Sequence, residues 1–134
     1  MSMKSVPAEF EKLIKQAGEL AASDPSAEQV VIVLTAEGHI RWFFNHNVTS
    51  GSAADEAAFI KTLAESGDTE ISYAVCMWSD SAIDVPSHHL REQLMELNPS
   101  NRETQILLRS GEGFVVKTFS VLAGRIQSSL VRSD

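Results

Sequence analysis

Residues 70–97 read EISYAVCMWSDSAIDVPSHHLREQLMEL. The first part is an apolar run without alternation, which indicates a strand covered on both faces. Pro86 follows, and leucines then recur at helical spacing at Leu90, Leu94 and Leu97. A proline and a serine just before such a run are typical of the start of a helix. The stretch therefore predicts a buried strand followed by a helix.

The rest of the chain continues this interleaving of helices and strands. Apolar spacing predicts a helix from Pro7 to about Ala22, strands at VVIVLT, IRWFFN, TQILLR and FVVKTF, a helix from Ser52 to about Glu65, and a terminal helix at SVLAGRIQSSLV. Ser52 and Asp55 form a capping-box pattern at the start of the second of these helices. We predict an α/β fold, a three-layer α-β-α sandwich with a mixed five-stranded sheet.

Composition limits the partners that this chain can have. Its 134 residues are the size of one domain, which we place at residues 1–134, and the net charge of −7 works against binding nucleic acid or an anionic membrane surface. The longest aliphatic run is Val30 to Leu34, far shorter than a membrane span. Cys76 is the single cysteine, so an internal disulfide is excluded. We expect a soluble cytoplasmic protein.

The order of elements resembles the cytidine deaminase family, including its blasticidin S deaminase-type members. The resemblance rests on AADEAAFIKTL at residues 53–63 and PSHHLREQLMEL at residues 86–97, and it spans most of the chain. In that family the first of these helices opens with Cys-Ala-Glu or His-Ala-Glu, and the second opens with Pro-Cys-x-x-Cys followed by Arg-Gln or Arg-Glu. The resemblance implies the deaminase fold and a homo-oligomer, either a dimer or a tetramer.

The residues that carry the family's metal chemistry differ in this chain. Ala53, Ser87 and Leu90 stand where the resemblance places the three zinc ligands, so we predict no metal cofactor. Asp55 falls on the position of the proton-shuttling glutamate, and a shift of one residue would put Glu56 there instead. We prefer Asp55, because the shift would turn the apolar face of the helix by about 100° away from the core.

Two adjacent histidines, His88 and His89, follow Ser87. Neighbouring helical residues point about 100° apart, and histidines that share a metal on one helix usually stand four residues apart. A metal site that combines Asp55, one of these histidines and His46 is a weaker alternative. The histidines are either exposed residues of a first helical turn or metal-free contacts to a ligand.

Asn45 and Asn47 lie at the end of IRWFFNHN, residues 40–47, and resemble the family's Asn-Val-Glu, whose side chains hold the ribose. Asparagines after a strand are also ordinary turn residues. The predicted substrate-binding residues are Asn45, Asn47, Asp55, His88 and His89.

Two classes of function follow from this pattern. The first is a non-catalytic, cytidine deaminase-like domain without zinc that binds a nucleoside-like small molecule or acts as an assembly or regulatory module. The second is an active hydrolase that deaminates a nucleoside or base through an unusual site containing Asp55, His88 and His89. A structural protein that binds a partner and has no pocket is a third reading.

Overall fold

The computed structural model describes residues 6–46 and 53–122. Apart from the terminal helix, the predicted helices and strands are confirmed to within one or two residues at their ends. The helices are α1 (Ala8–Ser23), α2 (Ala53–Ser66) and α3 (His88–Leu97), with a 3₁₀ helix at Pro99–Glu103, and the strands are β1 (Gln29–Thr35), β2 (Ile40–Asn45), β3 (Ile71–Trp78), β4 (Ile83–Asp84), β5 (Gln105–Ser110) and β6 (Gly113–Thr118).

The strands form one mixed sheet in the order β2-β1-β3-β5-β6, and β4 pairs with β3 beside β5. β3 and β5 are parallel, and the other neighbouring pairs are antiparallel. All five predicted strands are present. The sequence prediction missed β4, because two residues are too few to show a periodic pattern.

Each face of the sheet has its own hydrophobic core, which confirms the three-layer arrangement. On one face α1 buries Phe10, Leu13 and Ala17 against β1 and β3. On the other face α2 and α3 pack together, with Phe59 of α2 and Leu90 of α3 in the same cluster. The apolar spacing of these helices is therefore what fixes their orientation on the sheet.

Asn101 in the 3₁₀ helix ties the end of α3 to the start of β3. Its side chain is fully buried, accepts a hydrogen bond from the N–H of Ile71, and donates to the carbonyls of Thr69 and Leu94. Three main-chain partners on two segments, the start of β3 and the end of α3, make this amide a structural link.

The predicted terminal helix lies partly outside the described residues. Residues 119–122 are helical, with Phe119 and Leu122 packed beside α2 and α3, and the remainder of the predicted helix is not described. In residues 6–46 and 53–122, no helix is long and apolar enough to cross a membrane.

Candidate functional site

Three strands meet at one end of the sheet, where β1 begins and β2 and β3 end. Gln29 at the start of β1 lies opposite both Asn45 at the end of β2 and Trp78 at the end of β3. Asn45 is two residues from Phe43, which stacks on Phe59 of α2 with a centroid distance of 4.6 Å. Side chains two residues apart on a strand share a face. This end of the sheet is also where α2 and α3 begin.

Two short side-chain contacts at this end join the two helix starts. The Glu56 carboxylate accepts hydrogen bonds from Ser87 Oγ at 2.7 Å and from His89 Nδ1 at 2.8 Å. The side chain of Glu56 is 2% exposed, whereas that of His89 is 51% exposed. We call Glu56, Ser87 and His89 the α2–α3 junction. It is a buried carboxylate held from the neighbouring helix by two side chains.

Ser87 has a second role, because it caps α3. Its Oγ accepts a hydrogen bond from the N–H of Leu90 at 3.0 Å, which satisfies a main-chain donor of the first turn. The hydroxyl proton is then available for Glu56. Ser87 therefore caps the start of α3, and the same hydroxyl contacts Glu56 of α2.

The structure corrects the expected rotation of α2. Glu56, Phe59 and Leu63 form its buried face, whereas Ala58 and Thr62 are exposed. The spacing of 56, 59 and 63 is a regular helical stripe that contains a carboxylate. Glu56, and not the preferred Asp55, therefore faces α3. The reason that we gave for preferring Asp55 was wrong, because placing Glu56 inward leaves Phe59 and Leu63 in the core.

Asp55 takes part in a separate, more exposed set of contacts. Its carboxylate accepts a hydrogen bond from the main-chain N–H of His46 at 3.2 Å and lies 4.0 Å from His46 Nδ1. His46 Nε2 is 3.2 Å from Asp24, which follows α1. Hydrogen bonds from Ser26 and His46 hold the pKa of Asp24 below its ordinary value. Ser52, the expected capping-box partner of Asp55, lies outside the described residues.

The predicted site residues do not all converge. His89 reaches Glu56, but His88 pairs with Glu92 one turn along the exposed side of α3, at 3.4 Å. Asp55 contacts His46, and Asn47 lies outside the described residues. The three residues expected to form an unusual hydrolase site, Asp55, His88 and His89, therefore have three different partners.

Asn45 is the predicted site residue with the clearest unmet bonding capacity. Its side chain is 2% exposed and donates from Nδ2 to Gln29 Oε1 at 3.2 Å. Its Oδ1 atom is buried without a hydrogen-bond partner among the described residues. A buried acceptor without a donor is costly, so this oxygen is a position where a ligand's N–H or O–H group would be stabilising.

Two carboxylates, those of Asp84 and Glu56, lie near the single cysteine, Cys76. Burial raises the pKa of the Cys76 thiol, and the nearby charges of Asp84 and Glu56 raise it further. Asp84 in turn accepts a hydrogen bond from Trp78 Nε1 at 2.9 Å. A thiol in this setting stays protonated, which makes it a poor nucleophile and a poor metal ligand.

The described part of the chain contains one group of three side chains with ligand atoms close enough to share a metal ion. Glu37, His39 and Asp68 have these atoms within 4.8 Å of one another, at the β1–β2 turn and so at the opposite end of the sheet. Arg41 Nε donates to the Asp68 carboxylate at 3.0 Å, which places a cation where a metal would bind. We read this group as an ion-paired turn.

An open groove runs along the outer strand β2, next to Asp55. It has a volume of about 380 Å³ and lies between residues 40–44 of β2 and the α2 side chains Asp55, Ala58, Phe59 and Thr62. We call it the β2 groove. Trp42 is 43% exposed beside it.

Solved structures match this fold over most of the chain. Cytidine deaminase from Mycobacterium leprae superposes with a TM-score of 0.60 at 17% identity, over 84% of this chain and 95% of that one. The Bacillus anthracis enzyme gives 0.61 at 12% identity over 91% and 95%, and the Mycobacterium tuberculosis enzyme gives 0.59 at 18% identity over 84% and 92%. The chain has the cytidine deaminase fold. No protein-family model and no curated protein sequence matches it.

Within this deaminase fold, the start of α3 can be compared with the motif that the resemblance implies. Ser87 contributes a hydroxyl that bonds Glu56, and Leu90 is fully buried in the core. Glu56 and His89 are the described junction residues whose atoms could ligate a metal. A catalytic zinc usually takes three protein ligands, so the described residues of the junction do not fit that ion.

Proposed function

We propose that this cytidine deaminase-like protein binds a nucleoside-like small molecule and does not carry out zinc-dependent deamination. The observation that carries the proposal is the α2–α3 junction, where the Glu56 carboxylate bonds Ser87 and His89. These contacts occupy the helix starts at which the resemblance implies zinc and its ligands. If Glu56 takes the place of the family glutamate, the position of the first zinc ligand moves from Ala53 to Ala54. Alanine at this position also has no metal-binding atom.

Hydrolytic deamination needs an activated water molecule as its nucleophile. Binding to zinc can lower the pKa of water from about 15.7 to about 7, which corresponds to about 12 kcal/mol at roughly 1.36 kcal/mol per unit. A carboxylate that already accepts bonds from a serine and a histidine does not supply a comparable effect. Hydrolytic deamination is therefore expected to be absent.

The ligand class follows from the groups at this end of the sheet. Asn45 Oδ1 is an unpartnered acceptor among the described residues, and Asp55 is a half-exposed carboxylate. In the His89 tautomer that carries its proton on Nδ1 and donates a hydrogen bond to Glu56, Nε2 is also an acceptor. Such a site suits a ligand rich in N–H and O–H donors. The carboxylates of Asp55, Glu56 and Asp84 would repel phosphate, so a nucleoside fits better than a nucleotide.

The proposal is tested with untagged protein by three measurements. Elemental analysis should find no stoichiometric zinc, and an ammonia-release assay with cytidine should show no turnover. Titration calorimetry should detect cytidine binding that is weaker or absent for cytidine monophosphate. His89→Gln should weaken cytidine binding by roughly 3- to 10-fold, the effect of one net hydrogen bond.

His88→Gln is the matched control, because His88 is the adjacent residue and pairs with Glu92 away from the junction. It should leave cytidine affinity unchanged. Stoichiometric zinc or ammonia release would overturn the non-catalytic part of the proposal. Equal effects of the two substitutions, or no heat with any nucleoside, would overturn the binding part and favour a purely structural or partner-binding role.

A further inference from the structure

β2 is the outer strand of the sheet and pairs with β1 on one side. The β1–β2 register runs without a shift from Gln29 opposite Asn45 to Leu34 opposite Ile40. No other strand of the described residues pairs with its second edge, so that edge presents main-chain N–H and C=O groups. The β2 groove lies along that edge, so it combines main-chain hydrogen-bonding groups with the aromatic side chains Trp42, Phe43 and Phe44.

In the part of the chain that the structure describes, β2 lacks the usual devices that protect an edge strand. Proline, bulges and outward charges are the common ones. Residues 40–45 read IRWFFN and contain one charge, Arg41, whose Nε donates to the buried Asp68. Trp42 is the most exposed of the strand's large apolar side chains, at 43%. An edge of this kind favours pairing with another strand.

The charges that line the groove favour a second copy of β2 as the pairing strand. Arg41 lies near the start of β2, and Asp55 lies near its end, because it accepts a hydrogen bond from the N–H of His46. A second β2 that runs antiparallel reverses this order. Arg41 of one copy then approaches Asp55 of the other, and the same contact repeats across the two-fold axis.

We infer that two copies of this chain pair through antiparallel β2 edges, with the groove of each copy covered by the other. An isologous contact of this kind closes on itself, so it gives a dimer and not a fibre. Trp42 and Phe43 lie near the middle of β2 and would meet at the centre of the interface, where aromatic anchors usually dominate affinity. This inference does not depend on the proposed ligand.

Light scattering coupled to size exclusion, over a series of protein concentrations, tests the pairing. The wild type should be a dimer, and Trp42→Lys should raise its dissociation constant by roughly 30-fold, as expected for a buried tryptophan anchor. Val115→Lys is the matched control, because Val115 is 36% exposed on β6, the opposite edge of the sheet. It should leave the dimer intact.

Amide hydrogen exchange locates the contact independently of these variants. Peptides covering residues 40–45 should gain protection as the protein concentration rises, and peptides covering residues 113–118 should not. A monomeric wild type, or a dimer that survives Trp42→Lys but not Val115→Lys, would overturn the inference. So would protection of residues 40–45 that is independent of concentration, because a segment of the same chain would then cover the edge.

Discussion

The α2–α3 junction predicts a large and specific stability change for Ser87→Ala. The substitution removes the helix cap to the N–H of Leu90 and the hydrogen bond to the buried Glu56 carboxylate. A lost cap costs about 1 kcal/mol, and a lost hydrogen bond to a buried charged group costs about 1.5–3 kcal/mol. We therefore expect the free energy of unfolding to fall by about 2–4 kcal/mol.

Urea unfolding followed by circular dichroism measures this change, and a double-mutant cycle with Glu56→Gln isolates the contact between the two side chains. The coupling energy should be about 1–2 kcal/mol, because the hydroxyl and the carboxylate are in direct contact. Ser26→Ala is the matched control. Ser26 Oγ donates to the Asp24 carboxylate at 2.6 Å, but in an exposed position. Its effect should be much smaller, because water solvates an exposed carboxylate that loses a donor.

Two outcomes would refute this reasoning. A Ser87→Ala cost below about 0.5 kcal/mol would mean that neither the cap nor the carboxylate contact stabilises the fold. Additive effects of Ser87→Ala and Glu56→Gln would mean that the two side chains are not bonded, and that Glu56 is held in some other way.

Three further predictions concern other parts of the molecule. Cys76, as the single cysteine, should react with a thiol reagent such as DTNB in urea-unfolded protein but not in folded protein, because burial raises its pKa and blocks access. Burial alone would raise the pKa of Asp68, but hydrogen bonds from His39 and Arg41 outweigh burial and lower it from 3.8. The resulting stabilisation is fully present above the ordinary pKa of 3.8 and is lost as the pH falls through the lower, folded-state pKa. Asp68→Asn should therefore make the free energy of unfolding less dependent on pH below about pH 4. Asn101→Ala should lower the free energy of unfolding by about 3 kcal/mol, measured in urea, since three main-chain groups, in two buried contacts and one part-buried contact, lose their partner.

Each of these has a contrary result that is easy to recognise. Rapid labelling of Cys76 in the folded protein would show that the end of β3 opens readily. An unchanged acid transition in Asp68→Asn would show that this carboxylate is not stabilised by its partners. A mild Asn101→Ala variant would show that water replaces the lost amide.

The sequence predicted the fold well where periodic patterns were long. The apolar run of β3 and the leucine spacing of α3 identified both elements and their order, because burial on one or two faces leaves a regular pattern. The two-residue β4 left no such pattern. At the candidate site, the sequence placed Asn45 at the end of β2, but its unpartnered Oδ1 became apparent only when Gln29 and the neighbouring strands were in place.

The rotation of α2 could not be predicted from the sequence. Asp55 and Glu56 are neighbours of nearly equal chemistry. A one-residue change of register turns the helix by about 100°, and this rotation decides which of the two carboxylates faces inward. The sequence by itself determined that α2 is an amphipathic helix starting near these carboxylates and that α3 starts at Ser87. Only the tertiary structure decided that Glu56 is the residue that meets Ser87 and His89, because the rotation of α2 is set by the packing of Phe59 and Leu63 against the sheet and α3.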